Sequence, residues 1–232
     1  LGDVTRDLGD PATAATHYQH ALDIRRRLAD QLNTPQAHRD LSVSLERLGD
    51  VTRDLGDPAT AATHYQHALD IRRRLADQLN TARAHRDLSV SLNNLGDVTR
   101  DLGDPATAAT HYQHALDIRR RLADQLNTPQ AHRDLSISLN NLGNVTRDLG
   151  DPATAATHYQ HALDIRRRLA DQLGTARALR DLRAGLTDLA ETEEMLGHTD
   201  AAAALRAELS IVTGRIAVLE DDPPDPPVGD PS

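Results

Sequence analysis

Residues 48–57 read Leu-Gly-Asp-Val-Thr-Arg-Asp-Leu-Gly-Asp, and this ten-residue stretch occurs four times in the chain. The copies begin at Leu1, Leu48, Leu95 and Leu142, always 47 residues apart, and the only change among them is Asn144 in place of Asp. A fifth, weaker copy begins near Leu189. Self-similarity at one fixed period indicates a repeat protein, in which each unit packs mainly against its neighbours.

Each repeat carries the start and stop signals of two helices. Thr34-Pro35 supplies an N-cap followed by proline, and Asp57-Pro58 does the same 23 residues later. Apolar residues recur at intervals of three and four in both segments, and Gly56 and Asn80 are typical helix ends. One such pair cannot bury its apolar face alone, so the pairs must stack. We predict an all-α fold, an α-solenoid of antiparallel helix pairs, with helices near 11–32, 35–55, 58–79, 82–102, 105–126, 129–149, 152–173, 176–196 and 200–219.

The spacing of small and aromatic residues resembles the tetratricopeptide repeat (TPR), whose signature contains Leu-Gly, then Ala and an aromatic residue four positions later. The second copy has Leu48-Gly49, Ala61 and Tyr65 at these positions, but Thr52 replaces an aromatic residue and no proline ends the second helix. Ala-Leu-Asp-Ile-Arg at 68–72 is similar to the kinesin-light-chain-type variant, which has longer units. The resemblance implies a superhelical solenoid that binds proteins or peptides.

The resemblance covers residues 1–219. It divides them into a partial repeat at 1–33, repeats at 34–80, 81–127 and 128–174, and a degenerate capping repeat at 175–219. The first repeat lacks the 14 residues that correspond to 34–47, so we expect Tyr18 and Leu22 to be incompletely covered and to favour self-association. Residues 220–232 are acidic and rich in proline, which predicts a disordered tail.

Composition excludes several classes of protein. There is no Cys, so disulfides and thiolate metal sites are absent, and all 26 basic residues are Arg. Residues 181–232 hold 3 Arg and 12 acidic residues, which accounts for the whole net charge of −9 and leaves the body neutral. A neutral body does not attract nucleic acid or an anionic membrane. With no apolar run long enough to span a bilayer, we expect a cytoplasmic protein without cofactors, nucleic acid or membrane partners.

The first helix of each repeat also has a regular polar face. At about 100° per residue, Val43 and its polar neighbours point away from Leu48. In tetratricopeptide solenoids this side lines the concave groove, so the resemblance implies a binding face here. Asn can pair with the backbone of an extended peptide, and Arg can bind a carboxylate. We predict a peptide-binding set of Glu46, Arg47, Asp50, Arg53, Asn93, Asn94, Asp97, Arg100, Asn140, Asn141, Asn144 and Arg147.

Two other patterns recur on the second helices. His-x2-His places imidazoles one turn apart at His64 and His67 and at His111 and His114, but two ligands are too few for a tight metal site. Residues 72–74 and their copies are runs of three Arg, a pattern that nucleic acid could use. Asp70 and Asp77 stand four residues from Arg74 and Arg73, so helix-surface pairing should neutralise much of each run. We interpret both patterns as solvated surface.

No enzymatic motif is visible, and polar residues in identical copies are poor catalytic candidates, because an active site needs different groups converging on one point. Two functions of different class remain. The first is a recognition module, the sensor or scaffold part of a larger protein. The second is a structural module that stacks end to end or spaces other domains. The array resembles those appended to bacterial signalling ATPases of the innate-immune-like class.

Overall fold

The computed structural model describes residues 2–221, and every regular element in this part of the chain is a helix. The nine predicted helices are confirmed with boundaries within two residues of those expected. Helix α10 includes Glu220 and Asp221, the first two residues of the predicted tail, and the rest of that tail lies outside the described residues. The helices are α1 Gly2–Asp7, α2 Pro11–Leu32, α3 Pro35–Asp54, α4 Pro58–Leu79, α5 Ala82–Asp101, α6 Pro105–Leu126, α7 Pro129–Asp148, α8 Pro152–Leu173, α9 Ala176–Met195 and α10 Thr199–Asp221.

Polar caps determine where the helices begin and end. The side chains of Thr34 and Asp57 accept hydrogen bonds from the backbone N–H groups of Ala37 and Thr60, at 3.2 and 3.0 Å. These bonds satisfy donors that the first turn of a helix leaves free. Asn80 ends α4 in the left-handed region with φ of 45°, so the chain reverses within two linking residues.

The helices form two compact units, α1–α6 and α7–α10, with the division after Asn127. Within each unit consecutive helices pack against each other, so each second helix contacts the first helix of its own repeat and of the next repeat. One apolar cluster in the first unit joins α2, α3 and α4, another joins α4, α5 and α6, and a cluster in the second unit joins α8, α9 and α10. Each cluster therefore lies between successive pairs, as stacking requires.

Arginine–aspartate pairs join successive repeats. Arg39 donates to Asp87 at 2.6 Å, and Arg53 pairs with Asp101 at the end of α5. The same pairing joins Arg6 to Asp54 and Arg133 to Asp181. The two partners are 48 residues apart in every case, one residue more than the repeat period. We call these pairs the inter-repeat rungs, and they match the arginines of one repeat with the aspartates of the next.

The start of α2 is better covered than the sequence predicts. Tyr18 and Leu22 are only 8% and 2% exposed, so the expectation that they are incompletely covered is wrong. The short helix α1 lies over Tyr18, and Asp3 accepts its hydroxyl hydrogen bond at 2.7 Å. Exposed apolar surface lies further along α2, where Ile24 and Leu28 are 52% and 42% exposed, although the equivalent residues of α4 are buried.

Candidate functional site

The twelve residues of the predicted peptide-binding set lie on the first helices α3, α5 and α7. Four equivalent positions per repeat are involved, and their surroundings differ. At three of the four positions, internal contacts already engage most of the side chains. The fourth position, occupied by Arg47, Asn94 and Asn141, is the most open.

The first position is buried. The Glu46 carboxylate accepts hydrogen bonds from Arg72 of α4 and Ser91 of α5, at 2.5 and 2.7 Å, so its expected place on an open ligand face is wrong. Burial raises the pKa of Glu46, and the charge of Arg72 acts in the opposite direction. Asn93, the equivalent residue of α5, is likewise buried, and its amide oxygen accepts from both terminal nitrogens of Arg119 at 2.9 Å. Asn140 of α7 is half-buried.

The second position is occupied by Asp50, Asp97 and Asn144. Each of these side chains accepts a hydrogen bond from the tyrosine on the second helix of its own pair. The hydroxyls of Tyr65 and Tyr112 donate to Asp50 and Asp97 at 2.7 and 2.6 Å, and Tyr159 donates to Asn144 at 2.7 Å. Burial raises the pKa of Asp50 and Asp97, and the tyrosine hydrogen bond opposes this shift. These side chains fix the first helix to the second, so ligand binding is not needed to explain them.

The arginines of the third position also have partners. Arg53 forms a rung with Asp101. Arg147 lies 3.9 Å from Glu191 and stands over the ring of Tyr159, 5.8 Å from its centre. Arg100 makes an internal interaction as well. A ligand carboxylate would have to compete with these internal partners for any of the three guanidinium groups.

At the fourth position, side-chain amides remain free to form hydrogen bonds. Asn94 and Asn141 are half-buried, and within residues 2–221 neither side chain has a hydrogen-bond partner. One turn earlier on the same helices stand Val90 and Ile137, also half-buried. Arg47, the equivalent in α3, is exposed, with Asp3 and Asp50 at 3.7 and 4.0 Å. Each open amide therefore has an apolar side chain beside it. We call these patches, one on α5 of the first unit and one on α7 of the second unit, the open face.

Sequence reasoning did not single out Val90 and Ile137. Their signal was the recurrence of a β-branched residue every 47 positions, at Val43, Val90 and Ile137, on the otherwise polar side of the first helix.

The His-x2-His pairs lie on the second helices α4 and α6. Among residues 2–221, no three His, Asp or Glu side chains are grouped closely enough to hold a metal ion. His64 is half-buried, and burial lowers its pKa, with the nearby His67 and Arg26 lowering it further. The equivalent His111 shows the same direction for the same reasons.

The basic runs are not stripes of three exposed arginines. The first arginine of the second and third runs, Arg72 and Arg119, is only 5% exposed in each case and points between helices. The predicted pair of Asp70 with Arg74 is wrong, because the Asp70 carboxylate accepts from Gln66 at 2.9 Å and Arg74 donates to the backbone oxygen of Asp70 instead.

Sequence models described as tetratricopeptide repeat match residues 40–92 and 134–182 in one case and residues 88–128 in another, together more than half of the chain. This chain belongs to the tetratricopeptide repeat family. A comparison with curated proteins gives no significant match. No helix within residues 2–221 has the length and apolar character needed to cross a membrane.

Solved structures of repeat proteins share the fold over nearly the whole chain. A kinesin light chain with nearly identical TPR-like repeats from Podosopora anserina has a TM-score of 0.69 at 15% identity, covering 93% of this chain and 92% of that chain. A Rap protein complexed with competence and sporulation factor has a TM-score of 0.53 at 18% identity, covering 94% and 63%. A signal transduction ATPase (STAND) with a tetratricopeptide repeat sensor from Pyrococcus horikoshii has a TM-score of 0.56 at 15% identity, covering 96% and 33%. The predicted α-solenoid of the kinesin-light-chain-like type is confirmed.

Proposed function

We propose that this protein is a non-enzymatic recognition module that binds an extended protein or peptide segment on its open face. The observation that carries the proposal is the pair of unpartnered amides of Asn94 and Asn141, each one turn from an apolar side chain. An amide both donates and accepts, so it can pair with a peptide backbone whatever the peptide's side chains are. An adjacent apolar residue adds contact area to the ligand.

The similar structures support an interaction role. Tetratricopeptide repeats generally serve as interaction scaffolds rather than enzymes. The Rap structure is a complex with competence and sporulation factor, and the repeats of the STAND protein are described as a sensor. A sensor or scaffold part of a larger signalling protein is therefore the role that we propose for this chain.

The test is selection of binding peptides from a displayed random library, followed by fluorescence anisotropy with the best peptide. Asn94→Ala and Asn141→Ala should each weaken binding, because one neutral hydrogen bond contributes about 0.5–1.5 kcal/mol, or roughly 2- to 12-fold in Kd. His67→Ala and His114→Ala are the matched controls, since they truncate exposed side chains of the second helices. Affinity that survives both Asn changes and falls with the His changes would place the site on the second helices.

A structural role is the second candidate, and the exposed Ile24 and Leu28 of α2 favour it. These two side chains form an apolar strip, and such strips promote association. If the protein assembles end to end through α2, sedimentation velocity should show a concentration-dependent dimer that Ile24→Asp removes. Ile211→Asp changes an exposed apolar residue of α10 and is the control. A monomer at all concentrations would leave recognition as the better explanation.

A further inference from the structure

Two clefts of the protein have the same lining. One is formed by α3, α4 and α5 of the first unit and the other by α7, α8 and α9 of the second unit, and each has a volume of about 120 Å³. Every lining residue of one cleft has an identical counterpart 94 positions away in the other. The walls of the second cleft include Leu169 and Leu173, with Arg166 beside them. Because the lining residues are identical, the two clefts can be compared directly. Any difference in the ligand that they bind must come from residues that do not line them.

In the first cleft every nitrogen of the buried arginine has a hydrogen-bond partner. Arg72 donates from Nε to the Ser42 hydroxyl at 3.1 Å, from Nη1 to the Asp87 backbone oxygen at 2.7 Å and from Nη2 to the Glu46 carboxylate at 2.5 Å. The Glu46 carboxylate neutralises its charge. A ligand entering this cleft would have to compete with these partners for the buried arginine.

In the second cleft the equivalent arginine is unpaired. Arg166 is 7% exposed, and its Nε and Nη1 are buried without a hydrogen-bond partner. The side-chain oxygen of Asn140 is in the same situation. Among the described residues, these three are the buried side-chain nitrogen and oxygen atoms that lack a partner. A buried donor without an acceptor is costly, and a charged one especially so.

Three substitutions distinguish the surroundings of Arg166 from those of Arg72. Asn140 stands where the first cleft has Glu46, so the carboxylate is missing. Its amide bonds to Asp188, which stands where the first unit has Asn94. Gly185 stands where the first cleft has Ser91, and a Cβ atom there would lie 2.9 Å from Arg166 Nη1. The guanidinium therefore occupies space that a side chain would otherwise fill. Burial lowers the pKa of Arg166, and the charges of Asp188 and Asp181 act against that shift.

We propose that the cleft between α7, α8 and α9 binds a carboxylate on a short apolar stem, with Arg166 as its counter-ion. The chemistry follows from comparison of the two clefts, because a carboxylate is what the equivalent Arg72 holds. Leu169 and Leu173 offer apolar contact to the stem. A cavity of about 150 Å³ accommodates benzene, so a cleft of 120 Å³ admits a stem of only a few carbon atoms. This cleft is separate from the open face, so the proposal does not depend on the peptide-binding function.

A singly charged ligand suits the site better than phosphate. Asp181 lines the same cleft, and its carboxylate is held by Arg133 at 2.5 and 3.0 Å. A dianion would meet the charge of Asp181 at close range, and Arg133 is already engaged. One unpaired guanidinium, by contrast, balances the charge of one carboxylate.

Isothermal titration calorimetry with 3-methylbutanoate tests the proposal, with 3-methylbutanamide as the neutral control. We expect one site per chain for the acid and none for the amide. A pentapeptide ending in leucine, with a free or an amidated C-terminus, distinguishes the two sources of such a carboxylate: binding of the free peptide alone points to a chain terminus. Absence of binding by both carboxylates, or tighter binding of inorganic phosphate, would overturn the proposal.

A triple variant tests the role of the three substitutions. Asn140→Glu, Gly185→Ser and Asp188→Asn together give the second cleft the residues of the first. We expect the carboxylate affinity to fall roughly 10- to 100-fold, the range for loss of a charge-assisted hydrogen bond, while the melting temperature stays equal or rises. Unchanged affinity in this folded variant would overturn the assignment of Arg166. The reverse set, Glu46→Asn, Ser91→Gly and Asn94→Asp, should raise the stoichiometry from one to two, and a single site in that folded variant would count against the assignment.

Discussion

Gly96 of α5 faces the ring of Tyr112 so closely that an added Cβ atom would lie 2.7 Å from Tyr112 Cε1. The same contact recurs between Gly49 and Tyr65. A distance under 3.0 Å is one that real Cβ atoms essentially never show, so a larger residue would have to push the ring away. Because the Tyr112 hydroxyl is also bonded to Asp97 on the same helix as Gly96, the ring is fixed at both ends.

Gly96→Ala should therefore destabilise the protein. Overpacking of this kind costs about 1–3 kcal/mol, more than the roughly 1 kcal/mol that Ala gains over Gly in a helix. Gly214→Ala in α10 is the matched control, since an added Cβ there meets nothing within 4 Å, and it should stabilise. Urea unfolding followed by circular dichroism measures both. Equal stabilisation by the two substitutions would mean that the tyrosine ring moves aside without cost.

Replacing the tyrosines separates a charged from a neutral acceptor. Tyr112→Phe removes the donor from the partly buried Asp97 carboxylate, whereas Tyr159→Phe removes it from the neutral Asn144. Hydrogen bonds to charged groups contribute about 1.5–3 kcal/mol and neutral ones about 0.5–1.5 kcal/mol. We expect the larger loss in the free energy of unfolding for Tyr112→Phe. The opposite order would contradict the assignment of Asp97 as an ionised acceptor.

The buried pair of Glu46 and Arg72 should tolerate one replacement and not another. Glu46→Leu leaves the Arg72 guanidinium buried without its counter-ion, which costs about 3–5 kcal/mol. Glu46→Asn installs the residue that α5 uses at the same position, where its oxygen accepts from Arg119, so the loss should be about 1–2 kcal/mol, that of one weakened hydrogen bond. Thermal unfolding of the two variants measures the difference. Similar losses would show that the charge of Glu46 contributes little.

Stability should fall between about pH 7.5 and pH 5. Burial lowers the pKa of His64 and His111 in the folded state, with Asp57 and Asp104 opposing the shift at each. A lowered pKa gives stability that is complete above the unfolded value of about 6.5 and is lost as the pH falls through the folded value. The raised pKa of Asp97 has the opposite sign: its contribution is complete below its unfolded pKa of about 3.9 and is lost as the pH rises through its folded pKa.

The double variant His64→Gln, His111→Gln checks this prediction. It should show a smaller drop in melting temperature between the two pH values than the parent protein does. A drop of unchanged size would assign the pH dependence to other groups. The N-capping carboxylates, such as Asp57, have a pKa lowered by the hydrogen bonds from Thr60. Their contribution is lost only as the pH falls below about 3.9, so it lies outside this window.

The helices were predictable from sequence because their signals are local. Thr34-Pro35 and Asp57-Pro58 act within one turn, and the structure places the helix starts there. The leucine spacing of three and four then identified the face that packs within each repeat. These signals can be interpreted without knowing which helices are neighbours. The 47-residue period then predicted that the helix pairs stack.

The surroundings of the predicted peptide-binding set were only partly predictable, because a helical projection assumes that a helix packs on one side only. Helix α3 contacts α2, α4 and α5, so Glu46 is buried by residues that stand 26 and 45 positions away. The sequence likewise presents Arg53 as free to bind a ligand carboxylate, but in the structure it forms a rung with Asp101. Asn94 and Asn141 were found correctly as polar residues of the first helices, but their lack of partners could be recognised only once the partners of the other positions were identified.

The inter-repeat rungs have an evolutionary consequence. Each rung joins residues separated by one period plus one residue. A newly duplicated copy of the gene segment therefore encodes an arginine and an aspartate that can form the rungs with the neighbouring repeats. Unequal recombination between near-identical copies would then add or delete 47 residues in frame without creating an unmatched arginine or aspartate at the junction. The length of the array can therefore change in a single genetic event, while the surface presented by each copy diverges at its own pace.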